Sequence, residues 1–210
     1  MVLKILLLLV FILSGCDSYR QERYYLVDVG GERYRIPQGY FWAFDSRKGG
    51  VVKGANLHAL YPGFQKKTKL NSEIFDRPGW AGGRLVSFII KDKDRYHGVE
   101  KIIENMLSEK NLKRHDNLVA GLTEYETPTG RYNYYFGRWK NGVPVYFRCS
   151  RKTQLSIYPS CSTVINSTSK TVLSVSFSRA RLGEWESLCG GLVAKLAEFH
   201  QKEVNGTRLD

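Results

Sequence analysis

The sequence contains 210 residues with a formal net charge of +12, 42% hydrophobic and 13% aromatic residues, and four cysteines. This length suffices for one domain with a substantial hydrophobic core, and no repeat, low-complexity tract or linker divides it. In a cytosolic protein the positive charge would favour nucleic-acid binding, but the first residues argue against a cytosolic location.

Residues 1–15 predict a lipoprotein signal peptide. One positive charge, Lys4, precedes the apolar run ILLLLVFIL, which has nine residues. Nine helical residues span roughly 14 Å, against a hydrocarbon core ~30 Å thick, so the run is too short for a transmembrane helix. The next residues, LSGC, end at Cys16 and resemble the bacterial lipobox. In a lipobox the cysteine is diacylated, the signal peptide is removed just before it, and the new amine of the cysteine is then acylated. The alternative is an ordinary secretory signal with a chance cysteine.

Acyl chains on Cys16 would make a durable membrane anchor, because each buried methylene adds about 0.8 kcal/mol. Asp17, which follows directly, resembles the inner-membrane retention signal of lipoproteins in enteric-type bacteria. We therefore expect a lipidated tether at 16–23 and a single domain at 24–210 that faces the periplasm from the inner membrane. Basic surface there suits anionic lipid head groups or an acidic protein partner rather than nucleic acid. An uninvolved, solvated surface is the alternative.

Three cysteines remain for pairing in an oxidising envelope: Cys149, Cys161 and Cys189. Cys149 ends the strand-like segment VPVYFRC, and Cys161 opens CSTVIN after a turn-prone Tyr-Pro-Ser. Cys189 lies inside a helical apolar stripe, which is typical of a core residue. The sequence therefore favours a disulfide between Cys149 and Cys161 over the other pairings.

Hydrophobic periodicity predicts an α+β fold with a mainly antiparallel sheet. Residues 24–29 and 32–36 form a hairpin around Gly30-Gly31, since paired glycines supply the positive φ of a tight turn. Residues 65–83 are rich in loop signals. Further strands are expected at 40–44, 55–61, 84–91, 122–126, 132–139, 143–149, 161–166 and 171–178. Apolar residues at helical spacing predict two amphipathic helices, 99–107 and 182–199, packed on one face of the sheet.

No pattern of catalytic or metal-binding residues is present. The four histidines lack zinc-site spacing, no G-x-S-x-G motif occurs, and the glycine pairs lack a nucleotide-binding context. Cys189 and His200 lie eleven residues apart on one predicted helix, about 16 Å, which is too far for a joint reaction. We therefore expect a protein that is not an enzyme and holds neither cofactor nor metal.

Aromatic and basic residues supply the candidates for a protein-binding surface. Tyr and Trp are favoured at interfaces because they add contact area at low entropy cost. Alternation along 132–136 puts Tyr132, Tyr134 and Phe136 on one side and Tyr135 on the other, so half of this set can reach solvent. The alternative for the aromatics is core packing, and for the basic segment QKKTKL it is a solvated loop. The predicted partner-binding residues are Trp42, Lys66, Lys67, Lys69, Tyr135 and Trp139.

Three segments together resemble a family of small bacterial lipoproteins: YRIPQGYF after the hairpin, LHALYPGF near residue 60, and RARLGEWESL in the closing region. These lipoproteins are encoded beside type VI secretion effectors and act as immunity proteins, often against phospholipases. The resemblance implies a stoichiometric inhibitor that binds an incoming toxin and blocks its active site. Two other functions remain open: an envelope structural or assembly lipoprotein that scaffolds a secretion or cell-wall complex, and a lipid- or glycan-binding module.

Overall fold

The computed structural model describes residues 22–42, 49–95, 99–108, 112–154 and 157–201. The signal segment, Cys16 and Asp17 lie outside these residues. The described part is α+β with a mainly antiparallel sheet, as the sequence predicts. Its strands are β1 (Tyr24–Val29), β2 (Glu32–Pro37), β3 (Gly50–Val51), β4 (Gly54–Leu60), β5 (Leu85–Asp92), β6 (Lys113–Val119), β7 (Leu122–Glu126), β8 (Tyr132–Arg138), β9 (Pro144–Ser150), β10 (Ser160–Asn166) and β11 (Thr171–Ser178).

Eight strands form the large sheet in the order β4-β5-β11-β10-β9-β8-β7-β6. Every neighbouring pair is antiparallel. Strands β6 to β11 follow one another as a meander, β5 pairs with β11, and β4 forms the edge beyond β5. Alternation in β11 buries Leu173, Val175 and Phe177 on the inner face, as their spacing predicts.

The small sheet has the order β2-β1-β3 and lies over the inner face of the large one. The predicted hairpin is present, with φ values of 61° at Gly30 and 76° at Gly31. These angles favour glycine, which has no Cβ to clash with the preceding carbonyl. Val27 and Ile36 point inward and are buried with the main core, which leaves the other side of the hairpin facing outward.

Four helices occur in the described residues: α1 (Ser72–Phe75), α2 (Pro78–Gly83), α3 (Val99–Ser108) and α4 (Trp185–Phe199). The expectation of two helices on one face therefore needs correction. Helix α4 packs into the core, where its Trp185 ring lies 5.6 Å from Phe147 of the inner face. Helix α3 lies near β9 and β10, and Val99 is its one buried side chain. No helix in the described ranges combines the length and apolar character needed to cross a membrane.

Two sequence expectations fail because tertiary contacts override local propensity. The described part of the expected strand 40–44, residues 40–42, does not form one: Gln38–Tyr40 is a 3₁₀ turn, and Phe41 makes a single bridge to Leu57 of β4. Residues 43 and 44 lie outside the described residues. Within the expected loop 65–83, α1 and α2 form instead. Helix α2 is a left-handed turn, with φ between 53° and 70° from Gly79 to Gly82, so its flanking glycines relieve part of the steric conflict.

Cys149 and Cys161 form a disulfide, and Cys189 is a free, buried thiol. The two bonded residues are directly opposite each other in the β9–β10 pair. This is the pairing that the sequence favours. It joins two central strands of the large sheet and lies within the main core.

Two adjacent glycines of α4 are expected to respond oppositely to alanine. A Cβ at Gly191 would lie 2.4 Å from Cε2 of Phe64, whereas a Cβ at Gly190 meets nothing within 4 Å. Gly191→Ala should lower the free energy of unfolding by about 1–3 kcal/mol through overpacking. Gly190→Ala should raise it by up to about 1 kcal/mol, because alanine is the better helix former. Urea denaturation of both variants checks the pair, and equal shifts would contradict the Gly191–Phe64 contact.

Candidate functional site

Four of the six predicted partner-binding residues lie around one open cleft. Trp42, Lys66, Lys67 and Lys69 line it, and its volume is about 1790 Å³. We call this surface the aromatic–basic cleft. Its other described lining residues are Glu22, Arg23, Tyr24, Arg35, Gln38, Gly39, Phe41, His58, Thr68, Ser72, Phe75 and Asp76. The small sheet, β4 and α1 thus build one surface from segments distant in sequence.

The indole of Trp42 is the exposed aromatic of the cleft. Its side chain is 55% exposed, although its ring packs edge-on against His58 with 5.0 Å between ring centroids. His58 in turn packs against Phe75 of α1, again at 5.0 Å. The Trp42 backbone N–H donates to the Asn56 carbonyl at 3.1 Å. The Trp42 ring therefore packs on His58 on its inner side, and its outer side is exposed to solvent.

His58 has a structural role in the cleft. Its side chain is only 6% exposed, and it lies between the Trp42 and Phe75 rings. Because it supports the exposed indole from the core side, His58 belongs to the cleft without being accessible to a partner.

Two of the three lysines are paired with the protein's own carboxylates. Lys67 Nζ donates to Asp76 Oδ1 at 2.8 Å, and Lys66 forms an ion pair with Glu22. Lys69 is exposed and has no ion-pair partner among the described residues. The three cations of the loop therefore differ in availability, with Lys69 the most accessible.

The loop that carries these lysines is ordered by backbone hydrogen bonds. The Lys67 N–H donates to the Gly39 carbonyl at 3.0 Å, and Asn71 accepts from the Thr68 N–H at 2.7 Å. A Cβ at Gly39 would lie 2.4 Å from the Lys67 carbonyl oxygen, so only glycine permits this approach. The basic segment is thus a fixed wall of the cleft rather than a freely solvated loop.

Tyr24 and Arg35 are members of the site that sequence reasoning missed. The Arg35 guanidinium lies 4.0 Å from the centre of the Tyr24 ring, a cation–π contact on the outer face of the hairpin. Tyr24 is 40% exposed and its hydroxyl donates to Glu22 at 3.1 Å. The signal was present in the alternation of β1 and β2, which puts both residues on the side opposite Val27 and Ile36.

Tyr135 does not belong to the accessible surface. It is 2% exposed, its hydroxyl donates to Glu124 at 2.8 Å, and it accepts from Arg179 at 2.7 Å. Burial raises the pKa of its phenol above the usual value. Alternation of β8 was predicted correctly, but the side that reaches solvent is that of Tyr132, Tyr134 and Phe136.

Trp139 also lies away from the cleft. It is half-buried and packs edge-on against Trp185 of α4, with 4.8 Å between ring centroids. Its environment is that of a residue at the margin of the core. The structure therefore supports the alternative of core packing for this residue.

The described residues contain no cluster suited to holding a metal ion. In those ranges, no group of three or more His, Cys, Asp or Glu side chains is placed to hold a metal ion. Burial raises the pKa of the Cys189 thiol to about 12, so this thiol stays protonated at neutral pH and is a poor nucleophile. Among the described features, the aromatic–basic cleft is the best candidate for a functional site, and its exposed aromatic and cationic side chains are typical of a binding surface.

Comparison with known proteins supplies likeness of fold. No protein-family model matches the chain, and no curated protein matches its sequence. An immunity protein of the Stenotrophomonas maltophilia type IV secretion system matches with a TM-score of 0.63 over 86% of this chain and 94% of that chain, at 15% identity. The iron-regulated outer membrane lipoprotein FrpD of Neisseria meningitidis matches with a TM-score of 0.50 over 85% and 92%, at 16% identity. The chain thus shares its fold with a secretion-system immunity protein and with a lipoprotein.

Proposed function

We propose that this protein is an immunity protein, which binds a secreted effector protein and neutralises it through the aromatic–basic cleft. The observation that carries the proposal is Trp42, an exposed indole that packs against His58 in a cleft also lined by cations, within a fold shared with an immunity protein. Trp, Tyr and Arg are the residues most enriched at the centres of protein interfaces. The cleft contains all three.

Neutralisation would work by tight occupation of the effector surface. A submicromolar complex requires more than about 8 kcal/mol of binding free energy, which a few desolvated anchors supply and surface charge alone does not. In this proposal Trp42 slows dissociation, whereas Lys66, Lys67 and Lys69 mainly speed association by steering. No bond is made or broken by this protein.

The sequence supplies the location in the proposal. Acylation of Cys16 and retention through Asp17 would hold the domain on the inner membrane, facing the periplasm, where an incoming effector arrives. Lipid labelling with a fatty-acid analogue is expected for the wild type and not for Cys16→Ala. Recovery of the labelled protein in the outer membrane would contradict the role given to Asp17.

The secretion system of the effector is a separate question from immunity itself. The sequence resemblance points to type VI effectors, often phospholipases, whereas the immunity protein of similar fold belongs to a type IV system. We propose immunity to a secreted effector, with type VI phospholipases as the first effectors to test.

An envelope structural or assembly lipoprotein is the second candidate. The lipobox and the fold shared with an outer membrane lipoprotein favour it. A scaffold predicts an envelope defect on deletion when no toxin is present. An immunity protein predicts a defect only when the effector reaches the periplasm.

The proposed function is tested by expressing the effector encoded beside this gene in the periplasm of a host cell, with and without this protein. We expect growth to be rescued by the wild type. Continued killing, despite expression and membrane localisation of the protein, would exclude immunity to that effector. A growth defect on deletion without the effector would favour the scaffold.

A further inference from the structure

The charges of the aromatic–basic cleft do not cancel. Five cationic side chains and two carboxylates line it, which leaves a net of three positive charges. Arg23, Arg35 and Lys69 have no ion-pair partner in the described part of the chain. A concave surface lined by one sign of charge attracts the opposite sign and raises its local concentration.

The two carboxylates that are present belong to the protein itself and are weakly held. Lys67 and Asp76 have side chains 38% and 69% exposed, and Lys66 and Glu22 are 33% and 38% exposed. Ion pairs this accessible to water contribute roughly 0–1 kcal/mol, so an incoming carboxylate replaces them with little loss. Glu22 and Asp76 therefore occupy positions that a partner's carboxylates can take.

From these features we propose that the cleft binds an acidic segment of the protein partner, whose carboxylates displace Glu22 and Asp76 from Lys66 and Lys67. The inference rests on the proposed function and adds the chemistry of the partner. Trp42 and Tyr24 are exposed beside these cations, so the segment also carries an apolar side chain that covers the indole. A uniformly charged polyanion would pair with the cations but leave the exposed indole uncovered.

The shape of the site favours a protein segment over a membrane surface. Lys66 and Lys67 are about one-third exposed and line a recess between the hairpin and α1. A flat layer of lipid head groups reaches only projecting side chains, whereas a protruding loop enters a recess.

Two variants with opposite expected effects on the affinity for the acidic segment provide the test. Lys69→Glu removes an accessible cation, and Asp76→Asn releases Lys67 from its internal partner. Glu73→Gln is the matched control, because Glu73 is an exposed carboxylate of the same helix region that does not line the cleft. All three positions are exposed, so folding should persist. The chain from residue 17 onward contains both sheets, the described helices and the disulfide, and cooperative thermal unfolding of the wild type and each variant checks that it is folded.

The probe is a library of random peptides displayed on phage and selected against the wild-type chain from residue 17. We expect the enriched peptides to combine Asp or Glu with an aromatic or aliphatic residue. Their affinity should fall roughly tenfold for Lys69→Glu, rise about threefold for Asp76→Asn, and stay within about twofold for Glu73→Gln.

Three results would overturn the inference: no enrichment, enrichment of neutral or basic peptides, or an Asp76→Asn variant that binds no more tightly than the wild type. Vesicles of phosphatidylglycerol provide a further arm. If these vesicles bind the wild type but not the Lys69→Glu variant, the surface is a membrane site instead. An effector that binds with an affinity unchanged by all three variants would leave immunity standing and exclude the acidic segment.

Discussion

Trp42→Ala is expected to weaken effector binding by at least about 30-fold, which corresponds to about 2 kcal/mol and is typical of a central aromatic anchor. The indole is 55% exposed, so the variant should lose little stability. Isothermal titration against the effector measures the affinity, and thermal unfolding measures the stability.

Two further variants separate binding from folding. Leu118→Ala removes an apolar side chain that is 68% exposed on the edge strand β6, and we expect the affinity for the effector to stay unchanged. Trp139→Ala removes a half-buried ring from Trp185 and should lower the free energy of unfolding by about 3 kcal/mol. An affinity that is the same for Trp42→Ala and wild type would show that the effector binds elsewhere.

The double variant Cys149→Ala/Cys161→Ala is expected to lower the free energy of unfolding by about 3 kcal/mol. Without the cross-link between residues twelve apart, the unfolded chain regains the entropy of an open loop. Urea denaturation measures the loss, and a reducing agent should produce a similar loss in the wild type and none in the double variant.

Cys189→Ala is the control for the disulfide. Cys189 is buried, so removing its sulfur leaves a small cavity and should destabilise the protein by about 1 kcal/mol while the cross-link stays intact. If the double variant lost no more stability than Cys189→Ala, the bond would contribute nothing beyond packing.

Local pattern was sufficient for elements whose buried face is uniformly apolar. The alternation in β11 and the helical stripe of α4 were predicted because inner-face residues such as Val175 and Leu188 recur with the period of their element. The disulfide followed from the strand pattern on either side of the turn-prone Tyr-Pro-Ser, and β9 and β10 are indeed neighbours with Cys149 opposite Cys161.

Where tertiary contacts decide the conformation, the same reasoning failed. Strand β6 was missed because KRHDNLV has no apolar alternation, and an edge strand with mostly exposed side chains needs none. The expected strand at 40–44 is rich in strand-forming aromatics, yet in its described part Tyr40 ends a 3₁₀ turn and Phe41 makes a single bridge to Leu57.

The cleft could be predicted only in its parts. Trp42 and the loop lysines were chosen for residue type, but their assembly depends on contacts that span the sequence, such as Lys66 with Glu22. For Tyr135 the alternation was correct and the assignment of sides was not, because an aromatic residue suits either side of a strand. The buried acceptor Glu124 and donor Arg179 determine which side faces inward.

Amide hydrogen exchange of this protein, with and without the effector, tests most directly whether the aromatic–basic cleft is the binding surface. Effector binding should slow exchange at Phe41 and Trp42 and in the basic loop at 65–70, while the far edge of the large sheet at β6 stays unchanged. Slowed exchange confined to β6 and β7, with the cleft unaffected in a complex of confirmed stoichiometry, would contradict the account.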